Sequence, residues 1–124
     1  MGLTLDTGAL LALETGSTRI VAVIRAAQSA KTPITVPTVV VLEWWRGQHG
    51  GPVTKLLQGC SVEALSDALA RLAGLAVASV SGAGNIDAVV MASAAQRGDV
   101  VYTGDMTDML ALKDHFPSVK VLPI

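Results

Sequence analysis

Val100-Val101-Tyr102-Thr103-Gly104-Asp105-Met106-Thr107-Asp108 decides how this chain folds. Val100 to Tyr102 form a short β-branched and aromatic run that reads as a buried strand, and Met106 to Asp114 read as a helix. Between them stand Thr103, Gly104 and an acid. The same grammar appears at Leu3-Thr4-Leu5-Asp6-Thr7-Gly8, where an apolar run meets an aspartate before Ala9, Leu10, Leu11 and Leu13 resume in helix-like order. It appears again where Ile34-Thr35-Val36 gives way at Pro37-Thr38 to a helix from about Val39 to Trp45, with a stop at Gly47.

The intervening sequence supplies further helices. Gly16-Ser17-Thr18 offers an N-cap to a helix carrying Ile20, Val21, Val23, Ile24 and Ala27, which breaks at Lys31-Thr32-Pro33. Gln48-His49-Gly50-Gly51-Pro52 reads as a loop before a short helix near Val53 to Leu57, and Cys60 to Ala64 as a brief strand. Ser66 caps a helix with Leu69, Leu72, Ala73 and Ala76, and Asn85 caps a helix from Ile86 to Arg97 that Gly98 ends. Phe116-Pro117-Ser118 turns the chain into a last strand, Val119 to Leu122. Strands alternating with helices predict one α/β domain over residues 1–124, a three-layer α/β/α sandwich with a mainly parallel sheet.

Composition narrows the classes. Apolar residues make up 51% of the 124, yet no uninterrupted apolar run approaches the ~20 residues of a membrane helix. Met1-Gly2-Leu3-Thr4-Leu5-Asp6 has no basic leader region, so the sequence predicts a soluble, cytoplasmic protein with no membrane partner. The single cysteine, Cys60, forms no internal disulfide and reads as a small core residue. His49 and His115 lack partners at zinc-ligand spacing and read as surface groups.

In a parallel sheet the ligand site lies beyond the carboxyl ends of the strands. Asp6 and Asp105 both stand there. Asp99 precedes its strand and falls roughly 13 Å away at the opposite edge, so it is excluded. Glu43 and Asp87 sit in apolar helices, where a lone carboxylate is costly. Glu43 has a second reading as a surface acid paired with Arg46, and Asp87 as a first-turn acid favoured by the helix dipole. Asp108 is either a fifth oxygen ligand or a solvated helix acid, and Thr103 either places a water or phosphate or is simply a good strand former. Clustered carboxylates repel unless a hard divalent cation joins them, which points to Mg²⁺ or Mn²⁺ and to hydrolysis of a phosphate ester. Net charge is −1, but setting these five acids aside leaves nine basic residues against five acidic ones. The remainder of the chain is therefore compatible with a polyanionic substrate.

The order of Leu5-Asp6-Thr7, Val41-Leu42-Glu43-Trp44-Trp45-Arg46-Gly47, Asn85-Ile86-Asp87-Ala88-Val89-Val90-Met91 and Val101-Tyr102-Thr103-Gly104-Asp105 resembles a PIN domain over nearly the whole chain. It resembles in particular a VapC-type toxin of a toxin–antitoxin pair. That resemblance implies an endoribonuclease with Asp6, Glu43, Asp87 and Asp105 as catalytic metal ligands for Mg²⁺ or Mn²⁺. It assigns Asp108 an auxiliary role and has Thr103 hydrogen-bonding in the site. It also implies an RNA substrate, a homodimer, a VapB-like antitoxin whose C-terminal segment lies in a groove near the site, and promoter DNA bound only through that complex. Gly8 departs from the small polar residue usual after the Asp-Thr pair, and the Trp44-Trp45 pair is unusual. The tryptophans read either as core and interface or as a stacking surface for RNA bases, and Arg46 either as a phosphate contact or as a surface arginine.

Rival readings fit less well. A haloacid-dehalogenase-like phosphatase wants a second acid at position 8, where glycine stands. A receiver-like module wants a second acid beside Asp6 and a lysine at a late strand end, and both are missing. A catalytically silent PIN-like or receiver-like interaction module is the alternative function.

Overall fold

The computed structural model describes residues 1–47 and 51–124. Among these residues five strands, β1 (Leu3–Leu5), β2 (Ile34–Pro37), β3 (Ser61–Glu63), β4 (Val100–Thr103) and β5 (Lys120–Pro123), form one sheet in the order β3-β2-β1-β4-β5. Every neighbouring pair is parallel, with Leu3 opposite both Ile34 and Val100, and Thr35 opposite Ser61. The chain winds outward from β1 to β3, then crosses back to β4, so the direction reverses between β1 and β4.

Among the described residues seven helices connect the strands: α1 (Thr7–Glu14), α2 (Thr18–Ser29), α3 (Thr38–Trp44), α4 (Gly51–Gly59), α5 (Asp67–Ser79), α6 (Asn85–Arg97) and α7 (Met106–Lys113). Right-handed crossovers put α1 to α4 on one face of the sheet and α5 to α7 on the other, completing the expected three layers. α6 is the central helix. Ala88 to Ala94 are all buried, because the helix lies over β1, β2 and β4 and is covered in turn by α5 and α7. Its own small side chains permit that close packing.

Several boundaries differ from expectation. Gly51 and Pro52 belong to α4 rather than to a loop, since proline is tolerated in the first turn where its missing N–H has no partner to lose. Residues 48–50, and with them His49, lie outside the described residues. Asn85 is the first residue of α6 and Gly84 its N-cap, so the expected asparagine cap is displaced by one. Ser17 does cap α2, but without a side-chain hydrogen bond, whereas Ser66 Oγ accepts from Leu69 N at 3.1 Å. Gly98 ends α6 in the left-handed region at φ +67°, as a C-cap glycine should. Cys60 is half-buried at the edge of the core, and half-buried His115 packs edge-on against Phe116 at 4.8 Å. Among the described residues no single helix is long and apolar enough to cross a membrane.

Asp99 lies at the amino edge of the sheet. Its carboxylate accepts from Gly2 N, Thr4 Oγ1 and Arg97 Nε, and Arg97 also reaches Glu63, Ser93 and Thr4. This acid is satisfied by the scaffold and is remote from the opposite, carboxyl edge.

Candidate functional site

At that carboxyl edge, β1 and β4 each hand the chain to a helix through an aspartate. Asp6 is the N-cap of α1, its Oδ1 accepting from Ala9 N at 2.8 Å. Asp105 is the N-cap of α7, its Oδ1 accepting from Asp108 N at 3.2 Å. An N-cap acid is held with its free oxygens pointing past the helix start, toward whatever lies there. Thr103, the last residue of β4, joins the two. Its hydroxyl donates to Asp6 Oδ2 and accepts from Asp105 N at 2.8 Å, so this last strand residue also ties the two acids together.

Asp87 arrives from the first turn of α6 and Glu43 from α3. Together with Asp6, Thr7, Gly8, Ile86, Gly104, Asp105 and Asp108 they line one cleft of about 420 Å³. Carboxylate oxygens of Asp87, Asp105 and Asp108 all lie within 4.8 Å of one another. Asp108, expected only as an auxiliary, therefore stands inside the tightest group, while Asp6 and Glu43 flank it in the same cleft.

Repulsion is written into the titration of these groups. Burial, then the charges of Asp108, Asp6, Asp105 and Glu43, push the Asp87 carboxyl up to about 6. Burial also raises Asp6, against the opposing hydrogen bonds from Thr103, Ala9 N and Gly104 N. Asp108 is raised by its hydrogen bond to Asp105 and by that neighbour's charge. An all-oxygen, all-anionic donor set of this kind fits a hard divalent cation, which would relieve the repulsion.

Two expected residues lie elsewhere. Arg46 turns back on the end of α3, its Nη1 donating to Trp45 O at 2.6 Å and Leu42 O at 3.5 Å, and it does not line the cleft. Trp44 is buried and donates from Nε1 to Glu14 Oε2 at 3.2 Å, with the Trp45 ring tilted against it at 5.7 Å. Thr7 is a residue the sequence reading passed over. Its hydroxyl donates to Glu43 Oε1 and so ties α3 to the start of α1. Glu43 is exposed and held by this hydroxyl, and no ion pair to Arg46 forms among the described residues. The signal for Thr7 was its place directly after a strand-end acid.

No protein-family model matches the sequence, and no curated protein matches it. Solved structures do match in fold. A chain of VapBC2 from Rickettsia felis bound to a promoter DNA fragment superposes with a TM-score of 0.75 at 12% identity, covering 100% of this chain and 99% of that one. The fold is PIN-like. DNA-bound VapBC from Salmonella typhimurium gives 0.73 at 15% identity, covering 99% and 98% of the two chains. A toxin–antitoxin complex from Klebsiella pneumoniae gives 0.67 at 17%, covering 96% and 95%. These likenesses span the PIN-like chain from end to end.

Proposed function

We propose that this chain is a divalent-metal-dependent endoribonuclease and the toxin of a toxin–antitoxin pair. The observation that carries the reading is the convergence of five carboxylates on one cleft at the carboxyl ends of β1 and β4. Asp87, Asp105 and Asp108 would hold Mg²⁺ or Mn²⁺, with Asp6 and Glu43 completing the anionic wall. When bound, such an ion polarises the phosphodiester and lowers the pKa of a water. The chain's own groups do the rest. Thr103 fixes the orientation of Asp6, Thr7 that of Glu43, and the N-caps keep Asp6 and Asp105 aimed across the cleft.

The solved toxin–antitoxin complexes of this fold, two of them bound to DNA, support an antitoxin partner for this chain and promoter DNA engaged in that complex, and we propose a homodimer as its working assembly. A groove of about 530 Å³ lies at the far end of α1, away from the acidic cleft rather than near it as expected, and its lining by Leu13, Val21, Ile24 and Leu56 together with Glu14, Arg25 and Lys55 offers a partner segment both apolar and charged contacts.

The test is cleavage of purified tRNA, ribosomal RNA and mRNA by the isolated protein with Mn²⁺ or Mg²⁺. Discrete fragments are expected, and they should vanish with chelator and with Asp87→Asn. Turnover by Asp87→Asn at the wild-type rate would place the active site elsewhere. No cleavage of any RNA by folded, partner-free protein would leave an interaction module as the reading.

A further inference from the structure

The α1 start and the β4–α7 loop touch backbone to backbone. A Cβ placed on Gly8 would stand 2.9 Å from both Gly104 Cα and Gly104 N, a distance real Cβ atoms do not adopt. A Cβ on Gly104 would stand 3.2 Å from Gly8 Cα and 3.4 Å from Ile124 Cδ1. Neither neighbour at the Gly8 contact is a flexible side-chain end, so relief there means moving main chain.

That main chain carries the site. Gly8 is two residues from Asp6, and Gly104 directly precedes Asp105. The Gly104 N–H also hydrogen-bonds to Asp6, so the atom a Gly8 side chain would displace is itself a donor to an acid of the cleft. The Gly8–Gly104 contact thus fixes the β4–α7 backbone that carries Asp105 and Asp108 against the start of α1, and with it how closely these two acids approach Asp87.

We propose that the Gly8–Gly104 contact is a spacing device that sets the width of the cation site and with it the preference for small divalent ions over Ca²⁺. The inference rests on the metal-dependent reading above. Both glycines act through the carboxylates, as positioning residues. The selectivity follows from coordination. Mg²⁺ requires near-ideal octahedral geometry at about 2.1 Å, and Mn²⁺ is accommodated by similar oxygen sites, whereas Ca²⁺ accepts 2.3–2.6 Å and irregular shells. Widening the cleft by a few tenths of an ångström therefore penalises the smaller ions more.

The experiment is calorimetric titration of the full chain with MnCl₂ and with CaCl₂, for wild type, Gly8→Ala, Gly104→Ala and, as control, Gly74→Ala, whose added Cβ meets nothing within 4 Å. Melting in chelator runs alongside. Gly8→Ala is expected to weaken Mn²⁺ on the order of 10–100-fold and Ca²⁺ by a smaller factor. Gly104→Ala should move the same ratio less, because one of its contacts is a side-chain end. Gly74→Ala should move neither. Should Gly8→Ala fail to fold, the milder Gly104→Ala reads the same contact. Unchanged affinities, or equal loss for both ions, in folded variants would overturn the spacing role while leaving the metal-dependent reading intact. Wild type binding no Mn²⁺ would overturn both.

Discussion

Asp87 concentrates the conflict between folding and chemistry. Its carboxyl is pushed up to about 6, against an ordinary value near 3.9 in the unfolded chain. An acid whose pKa is raised on folding contributes stability below its unfolded pKa and loses it as pH climbs through the folded value. Without metal, the protein should therefore lose stability between about pH 4 and about pH 6, with Asp6 acting in the same direction. Asp87→Asn removes the dominant part of this slope. At about pH 7.5 in chelator we expect the variant to exceed wild type by roughly 1–2 kcal/mol, the full shift being discounted for partial solvent screening. Urea unfolding at two pH values checks this, and parallel slopes for the two proteins would refute it. The same substitution is expected to abolish the proposed cleavage, so a more stable protein with no activity is the diagnostic pair.

Among the elements, α6 does two jobs at its two ends. Its first turn presents Asp87 to the cleft, and its last residue, Arg97, ties down the opposite edge of the sheet through Glu63, Asp99, Ser93 and Thr4. Asp99 is only 2% exposed. Arg97→Met would strand that charge, and we expect a loss of about 2–3 kcal/mol in urea unfolding, whereas a value near zero would mean that water replaces the guanidinium. The elements themselves were largely legible in the sequence. Strand runs such as Val100-Val101-Tyr102 and the Ala/Val face of α6 carry strong periodic signals, and strand-end acids announce themselves by position. Caps were less legible, because Gly84 and Asn85 differ in tertiary setting rather than in local preference. The site was legible as a set of acids but not as a geometry. That Asp108 would join the tight group, that Arg46 would fold back onto α3, and that Thr7 would hold Glu43 depend on how separate elements dock, which no local pattern encodes. Gly8 is the instructive residue here. As a sequence it was a departure from pattern, and in the structure it is a contact.

For the whole molecule, one cleft with several unneutralised acids implies a coupling between cation binding and folding. A cation that binds the folded chain alone stabilises it by mass action, about 2.7 kcal/mol at 100-fold excess over Kd. For a domain of this size that corresponds to about 10 °C in Tm. Mn²⁺ should raise the wild-type melting temperature by about this amount and leave Asp87→Asn nearly unmoved, and equal shifts in both would put the cation outside the cleft. The all-parallel sheet explains why one ion can have so large an effect. The acids hang from elements on both sides of the point where the winding reverses, and an ion bound there would clasp β1, β4 and α6 at once.

That reversal also orders events in time. β4 must dock on the free edge of β1 before Thr103 can reach Asp6, a partner 97 positions earlier in the chain. Until that late pairing occurs, Asp6, Glu43 and Asp87 lack the second half of their cleft, however well the earlier helices have formed. On the proposed reading, a partly synthesised or partly folded copy would leave the RNA around it intact. The acidic cleft is thus assembled only once β4 has paired with β1.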